Sequence, residues 1–179
     1  MSVMKTVLVA GAVAAGFALA VPAEAAAPAV KSLTADVVNN DGKAIGTAAV
    51  TGNDDVTVIR LILGPGALTP GWHGIHLHAV GDCSDIAKFQ ASKAHVNHDG
   101  AKHGLLNPDG PDDGDLPNIF VVADGSVSAE LAREEGLIGE GGYLDADGFA
   151  LVIHANPDDH VSQPIGGAGD RVACASFRN

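Results

Sequence analysis

Hydrophobic and polar residues alternate along short runs of this chain, and turn-forming residues separate the runs. Alternation with a period of two is typical of a half-buried β-strand, whereas the 3.6-residue period of an amphipathic helix is weak throughout. The strand-like runs read SLTADVV, AIGTAAV, VTVIRLIL, IHLHAV, NIFVVA, SVSAELA, FALVIHA and RVACASF. The pattern therefore predicts an all-β fold, an eight-stranded antiparallel sandwich or barrel.

Two long segments interrupt this alternation. Residues 81–116 fill with Gly, Asp, Asn, His and Pro, and residues 155–170 are rich in Gly, Asp and Pro. Both are too long to be plain connections, and long ordered loops in a compact β domain usually carry function. By contrast, the NNDG tetrapeptide after the first run predicts a tight hairpin. We therefore expect the functional residues in the two long loops and at the strand ends beside them.

The first 25 residues differ in kind from the rest of the chain. Lys5 precedes an apolar run that reaches Val21, and the segment ends in AEA, an A-x-A cleavage pattern. The apolar run of about 16 residues is shorter than the roughly 20 that a membrane-spanning helix needs. We predict a signal peptide at residues 1–25, a single domain at residues 26–179, and secretion, with the periplasm as the expected compartment in a Gram-negative host.

Charge and cysteine content narrow the function classes. The formal net charge is −12, which argues against nucleic acid and against an anionic membrane as partners of the mature chain. An anionic substrate would therefore need a locally positive site. The chain has two cysteines, Cys83 and Cys174, and an even count in an exported protein favours a disulfide. The alternative is a pair of buried free thiols.

Five histidines and two aspartates form a candidate metal-binding set. Two of the histidines occupy alternate positions of one predicted strand, so their side chains point to the same face. Imidazole is the usual ligand of zinc and copper, and carboxylate supplements it at zinc. The set comprises His76, His78, His95, His103, His154, Asp112 and Asp115. Two further histidines, His98 and His160, lie in polar loops, where we expect solvated surface residues.

Several of these residues belong to five longer stretches of distinctive composition. The stretches read GALTPGWHGIHLHAVGDC, SKAHVNHDGAKHG, GDLPNIFV, LVIHANPDD and GGAGDRVACA. In this order and spacing, and over essentially the whole mature chain, they resemble the copper/zinc superoxide dismutase family. The resemblance implies a Greek-key β-sandwich or barrel. It also implies that the chain disproportionates superoxide to dioxygen and hydrogen peroxide.

By this resemblance, two neighbouring metal sites share one histidine. The implied copper ligands are His76, His78, His95 and His154. The implied zinc ligands are His95, His103 and Asp115, with Asp112 at the position of a further histidine. His95 would join the two ions and take part in catalysis by accepting a proton. Copper would be the redox centre, because zinc has no redox chemistry.

The resemblance also implies roles for residues beside the ligands. Asp158 matches a carboxylate that links a copper-bound to a zinc-bound histidine and so fixes the orientation of both rings. His73 matches a non-ligand histidine that holds the backbone near the site. Arg171 matches the arginine that docks the anion beside copper, through a planar fork of donors that stays charged. Cys83 and Cys174 match the family's disulfide, which ties the first long loop to the last strand.

One position departs from the family's pattern. The family reads H-x-G-D where this chain reads DDGD, so Asp112, nine residues after His103, replaces a histidine. Three outcomes are open: Asp112 binds zinc itself, His98 takes the vacant position, or zinc binding is weakened or lost. Carboxylate is an established zinc ligand, although its reach is shorter than that of imidazole.

Two other function classes compete with a dismutase. One is an exported copper buffer or carrier of the same fold with little dismutase activity, although copper binding alone does not need an anion-docking residue such as Arg171. The other is a structural β-sandwich whose histidines are satisfied in the core. Superoxide is the expected small anionic partner, and the sequence leaves open whether the protein is a monomer or a homodimer.

Overall fold

A strongly curled antiparallel β-sheet forms most of the protein in the computed structural model, which describes residues 29–179. The nine strands are β1 Lys31–Asn39, β2 Ala44–Gly52, β3 Thr57–Leu63, β4 Gly71–His73, β5 Ile75–His78, β6 Ile119–Val121, β7 Val127–Arg133, β8 Phe149–His154 and β9 Arg171–Phe177. A 3-10 turn at Gln90–Ser92 is the helical element of this part of the chain. Within the described residues, no helix is long and apolar enough to cross a membrane. The predicted signal peptide lies outside the described residues.

The strand order produces Greek-key connections. Seven strands form one sheet in the order β5-β8-β9-β1-β2-β3-β7, and β4 pairs separately with β6. After β3 the chain crosses to the far edge of the sheet to form β5, returns to place β7 beside β3, and crosses again to β8. Every strand pair is antiparallel. The all-β fold that the alternation predicted is therefore confirmed, with the sheet curled around one core.

All eight predicted runs form strands, and the structure adds a ninth, β4. Gly74 separates β4 from β5, and its backbone is bonded on both sides by the second long loop and β8. Its N–H donates to the carbonyl of Asn156 at 2.8 Å, and its carbonyl accepts from the N–H of His154 at 2.8 Å. A Cβ at this position would lie 2.9 Å from the Cβ of Ala168. The glycine therefore lets the loop approach the strand end closely.

Strands in different parts of the sheet bury either one face or both faces. On β3, Ile59, Leu61 and Leu63 point into the core while Arg60 and Ile62 are exposed, as expected of a strand with one solvated face. All residues of β5 and β8 are buried. Their second face lies under the long loops, so this is where polar side chains are enclosed.

The two predicted irregular segments are confirmed as long loops. The first runs from the end of β5 to the start of β6 and is interrupted by the 3-10 turn, and the second connects β8 to β9. A disulfide joins Cys83 in the first loop to Cys174 on β9, and the described residues include no free cysteine. Phe89 of the same loop packs in a small apolar cluster with Cys174. The alternative of two free thiols is therefore wrong.

Candidate metal centre

Three histidines project from adjacent strands onto the face beneath the loops. His76 and His78 occupy alternate positions of β5, and His154 ends the neighbouring strand β8. Each is at most 1% exposed. Their available ring nitrogens lie within 4.8 Å of one another. We call these three residues the strand cluster.

The first long loop brings a second group of ligand types against the same face. His95, His103, Asp112 and Asp115 offer atoms that all lie within 4.8 Å of one another. We call these four residues the loop cluster. All four are buried, with exposures of 8%, 3%, 4% and 1% respectively. The His95 ring lies between the two clusters, with its centroid 4.2 Å from that of His76 and 5.1 Å from that of His78.

Backbone pairing holds the loop on the edge of β5. The N–H of Leu77 donates to Gly114 and its carbonyl accepts from Val96, both at 2.9 Å. A Cβ at Gly114 would lie 2.4 Å from the carbonyl oxygen of Leu77, so the glycine of DDGD is required by this close approach. These bonds place His95 opposite His78 and Asp115 opposite His76.

Each ring of the strand cluster uses one nitrogen for a protein partner and keeps the other free. His76 bonds through Nε2 to Asp158 Oδ2 at 2.8 Å. His78 Nδ1 lies 2.8 Å from the carbonyl oxygen of Lys93, and His154 Nδ1 lies 3.0 Å from that of Gly169. The remaining nitrogens have no hydrogen-bond partner and are inaccessible to solvent: His76 Nδ1, His78 Nε2 and His154 Nε2, together with His95 Nε2.

The loop cluster is partnered internally. His95 Nδ1 lies 3.0 Å from Asp112 Oδ2 and 3.6 Å from Asp115 Oδ1. His103 Nδ1 lies 2.5 Å from Asp115 Oδ1. The other oxygen of Asp115 accepts from the backbone N–H of Gly104 at 2.7 Å and of Asp112 at 3.0 Å. Every nitrogen that faces this cluster therefore has a carboxylate beside it.

Asp158 connects the two clusters. Its carboxylate accepts from His76 Nε2 at 2.8 Å and from His103 Nε2 at 3.2 Å. Asn118 brackets its backbone, with the side-chain amide donating to the Asp158 carbonyl at 2.8 Å and accepting from its N–H at 2.9 Å. Sequence reasoning did not identify Asn118, because the order of residues along the chain does not show that it contacts the second long loop.

His160 is not the solvated residue that the sequence predicted. Its side chain is 20% exposed, and its backbone N–H donates to Asp158 Oδ1 at 2.6 Å. Its Nε2 lies 3.2 Å from the amide nitrogen of Asn118. The composition of the surrounding loop suggested exposure, but the loop folds back onto the site and encloses the ring.

His98 lies outside both clusters. Its Nδ1 is 3.1 Å from Asp113 Oδ2, and its side chain is 41% exposed. It belongs to none of the groups of potential metal ligands found among residues 29–179. The geometry thus places Asp112, rather than His98, beside His95 and Asp115.

Comparisons with known proteins agree with this arrangement. The model of the family described as copper/zinc superoxide dismutase matches residues 44–177. The chain belongs to the copper/zinc superoxide dismutase family. It is 50% identical over 153 residues to a superoxide dismutase (Cu-Zn) of Caulobacter vibrioides, across 82% of this chain and 86% of that protein. A superoxide dismutase (Cu-Zn) of Aquifex aeolicus is 38% identical over 78% of this chain and 83% of its own length. The enzyme class predicted from the sequence, superoxide dismutase, is therefore confirmed.

Solved structures of the family show the same fold. A superoxide dismutase-like protein from Bacillus subtilis superposes with a TM-score of 0.74 at 32% identity, over 80% of this chain and 96% of that chain. A Cu/Zn superoxide dismutase from Brucella abortus superposes with a TM-score of 0.65 at 26% identity, over 82% of this chain and 99% of that chain. The family's architecture thus extends over nearly the whole described chain.

The electrostatics of the two clusters differ within this family fold. Burial lowers the pKa values of His76 and His78, and lowers the pKa of His154 to about 3. Burial also opposes the charge on His95 and His103, but the neighbouring carboxylates outweigh it. They raise the pKa of His95, and they raise the pKa of His103 to about 10. The strand cluster therefore consists of neutral imidazoles at neutral pH, and the loop cluster favours imidazolium.

Arg171 supplies positive charge at the entrance to the strand cluster. It starts β9 opposite His154, and its guanidinium donates to the carbonyls of Phe89 at 2.6 Å and Lys93 at 2.7 Å. It lines two adjoining clefts of about 620 and 340 Å³, the first of which reaches His154 and the second His78 and His95. An anion that enters either cleft meets a fixed cation beside the free ring nitrogens.

His73 lies beside the centre without a free nitrogen aimed at it. Its ring nitrogens lie 2.6 Å from the carbonyl oxygen of His154 and 2.8 Å from that of Thr69. The ring is 2% exposed. These contacts tie the loop before β4 to the end of β8, where a metal-binding histidine candidate is located.

Proposed function

We propose that this chain disproportionates superoxide at a copper ion held by His76, His78, His95 and His154. The supporting observation is that each of these four rings has one buried nitrogen without a hydrogen-bond partner. Buried polar atoms without a partner are rare in folded proteins. A metal ion in the strand cluster would satisfy three of them, and the His95 ring lies beside that cluster. The second nitrogen of each ring is held by a carboxylate or a carbonyl, an arrangement typical of metal-binding histidines.

We propose zinc as the occupant of the loop cluster. Two imidazoles and two carboxylates, from His95, His103, Asp112 and Asp115, form a donor set that suits four-coordinate zinc. Asp112 would supply the ligand that the family takes from a histidine. His95 would contact both ions, since its Nδ1 faces the loop cluster and its Nε2 faces the strand cluster.

The residues around the copper position have separate tasks in the proposed reaction. Bound copper would supply two oxidation states, so that one superoxide is oxidised to dioxygen and a second takes up that electron and two protons to give hydrogen peroxide. The Arg171 guanidinium would bind and orient the anion in the cleft. Nε2 of His95 would hold a proton between the two half-reactions. Asp158 would orient His76 and His103 together, because it is bonded to both.

The test is to measure superoxide loss and metal content on the same preparation. Purified protein is stripped of metal and reloaded with copper alone, zinc alone, or both ions. We expect catalytic superoxide loss only when copper is present, at one copper per chain. Stoichiometric copper without catalytic loss would instead support the copper buffer or carrier, and no stoichiometric copper or zinc would support a purely structural sandwich.

We also propose that residues 1–25 are removed on export and that residues 26–179 act as one domain in the periplasm. The N-terminal pattern supports this, and so does the disulfide, since disulfides persist in oxidising compartments. N-terminal sequencing of protein released from the periplasm should begin at Ala26. A mature protein that retains residues 1–25 contradicts the proposal. Light scattering on the same material decides between monomer and homodimer.

A further inference from the structure

Asp112 contacts His95, the histidine that lies between the two clusters, on the side that faces the loop cluster. Its Oδ2 lies 3.0 Å and its Oδ1 3.3 Å from Nδ1 of His95, so the carboxylate accepts the ring N–H directly. The opposite nitrogen of the same ring, Nε2, is buried without a partner beside the strand cluster. The carboxylate and the free nitrogen thus stand on opposite ends of one imidazole.

The position of this carboxylate is fixed by the fold. Asp112 is 4% exposed, and its Oδ1 accepts from the backbone N–H of Gly114 at 3.0 Å. Its own carbonyl accepts from the guanidinium of Arg133 at 3.2 Å. The next carbonyl, that of Asp113, accepts from the hydroxyl of Tyr143 at 2.7 Å. Because β7 and a neighbouring loop hold the backbone on both sides, the side chain is oriented before any ion binds.

Asp112 is the nearer of the two carboxylates that face Nδ1 of His95. Asp115 is 3.6 Å from His95 Nδ1, and its two oxygens are already bonded to His103 and to two backbone N–H groups. Because Asp112 accepts from Nδ1, the neutral form of His95 keeps its proton on that nitrogen and leaves the lone pair of Nε2 free for copper.

The other three copper-ligand candidates have the same kind of support. His76 is held by Asp158, His78 by the Lys93 carbonyl and His154 by the Gly169 carbonyl. We propose that Asp112 is the equivalent positioning residue for His95, so that the copper site assembles without zinc. This inference rests on the proposed copper site. With zinc bound, the same carboxylate would turn to the ion, and without zinc it would hold the ring in place.

The experiment measures copper affinity in zinc-free protein by competition with a chromophoric copper chelator. Asp112→Ala removes the acceptor, and Asp112→Asn keeps the shape but removes the charge. Asp113→Asn is the matched control, because Asp113 is adjacent and buried but pairs with His98 outside both clusters. We expect copper binding to weaken about 10- to 100-fold in Asp112→Ala, and less in Asp112→Asn, as is usual for the loss of such supporting partners. Asp113→Asn should match the wild type.

A spectroscopic measurement separates positioning from general loosening of the fold. Electron paramagnetic resonance of the zinc-free copper(II) protein should show four ligand nitrogens in the wild type, one for each free ring nitrogen. Asp112→Ala should lose one of them and resemble His95→Ala. Asp112 variants that bind copper within threefold of the Asp113→Asn control, or that keep the wild-type spectrum, overturn the inference.

Two further variants identify which proposal has failed. If His95→Ala and His76→Ala also leave copper binding unchanged, the proposed copper site itself is wrong. If both weaken copper binding and the Asp112 variants do not, only the positioning role fails. Asp112→His, which restores the family's residue, should bind copper more weakly than the wild type without zinc and regain affinity when zinc is added.

Discussion

The strand cluster and the loop cluster are joined through His95 and Asp158, but their ring nitrogens are occupied differently. In the strand cluster each ring keeps one buried nitrogen free, and burial lowers the pKa values. In the loop cluster Nδ1 of His95 and both ring nitrogens of His103 face carboxylates, and the pKa values of the two histidines are raised. One nitrogen in each ring of the strand cluster lacks a hydrogen-bond partner, whereas the nitrogens that face the loop cluster are paired with carboxylates.

This difference shows that the fold holds histidine in two states. The rings of the strand cluster are neutral, and those of the loop cluster pair with carboxylates. The strand cluster is carried by two paired strands, β5 at the edge of the sheet and β8 beside it, and its rings are oriented by two carbonyl acceptors and by Asp158. The loop cluster gathers from one long irregular segment, and its carboxylates stabilise it by pairing with imidazolium until a metal replaces the protons. Metal binding should therefore affect the stability and protonation of the loop cluster more than those of the strand cluster.

Removal of one strand-cluster ring should have the largest effect. His154→Ala takes away a free nitrogen for which the described residues offer no substitute, so copper binding and superoxide dismutase activity should fall to background. Zinc binding should stay near one ion per chain, because His154 is outside the loop cluster. Metal analysis and a superoxide assay measure both. His98→Ala is the control and should keep both metals; a parallel loss of zinc in His154→Ala would show that the clusters are not separable.

Loss of the disulfide should be the next largest effect. The bond closes a span of 91 residues, so the double variant Cys83→Ser/Cys174→Ser should lower the free energy of unfolding by about 4–5 kcal/mol. The bond anchors the first long loop, and zinc binding should therefore weaken more than copper binding. Denaturant unfolding of the metal-free protein measures the stability, and wild type treated with reductant should behave like the variant. A loss below about 1 kcal/mol would contradict the chain-entropy argument.

Loss of the cation at the cleft should reduce the rate rather than metal binding. Arg171→Ala should lower kcat/KM for superoxide by about tenfold or more at low salt, and should weaken the dependence of the rate on ionic strength. Both metals should remain bound. Arg60→Ala removes the same charge from an exposed ion pair on β3 and should have little effect. An equal loss in Arg60→Ala would mean that overall net charge, and not the local cation, controls the encounter.

The pH dependence of metal binding should be the smallest of these effects. It tests directly the difference in protonation between the strand cluster and the loop cluster. The raised pKa of His103, about 10, means that its proton is bound at pH 7 and must leave when zinc binds. Zinc affinity should therefore increase as the pH rises toward about 10, with release of about one proton or more. His154, with a pKa of about 3, is already neutral and should release none. Calorimetry in two buffers of different ionisation enthalpy counts the protons; equal release for copper and zinc would remove the contrast.

Much of the fold could be predicted because strand periodicity is local. All eight alternating runs form strands, the NNDG tetrapeptide forms the β1–β2 hairpin with Gly42 at a φ of 74°, and both irregular segments are long loops. Strand β4 was missed because its separation from β5 depends on the approach of the second long loop to Gly74. His160 was assigned to the surface for a similar reason, since local composition does not show that a loop folds back.

The sequence by itself determined which side chains could form the centre. Alternation along β5 puts His76 and His78 on one face whatever the rest of the fold does, and the family stretches identify their companions. Only the tertiary structure decided which nitrogen of each ring is left for a metal. The acceptors that occupy the other nitrogens are 15 residues away for His78 and 82 for His76. Such contacts arise when the loops close over the sheet, because a hydrogen bond depends on distance and direction in space and not on order along the chain.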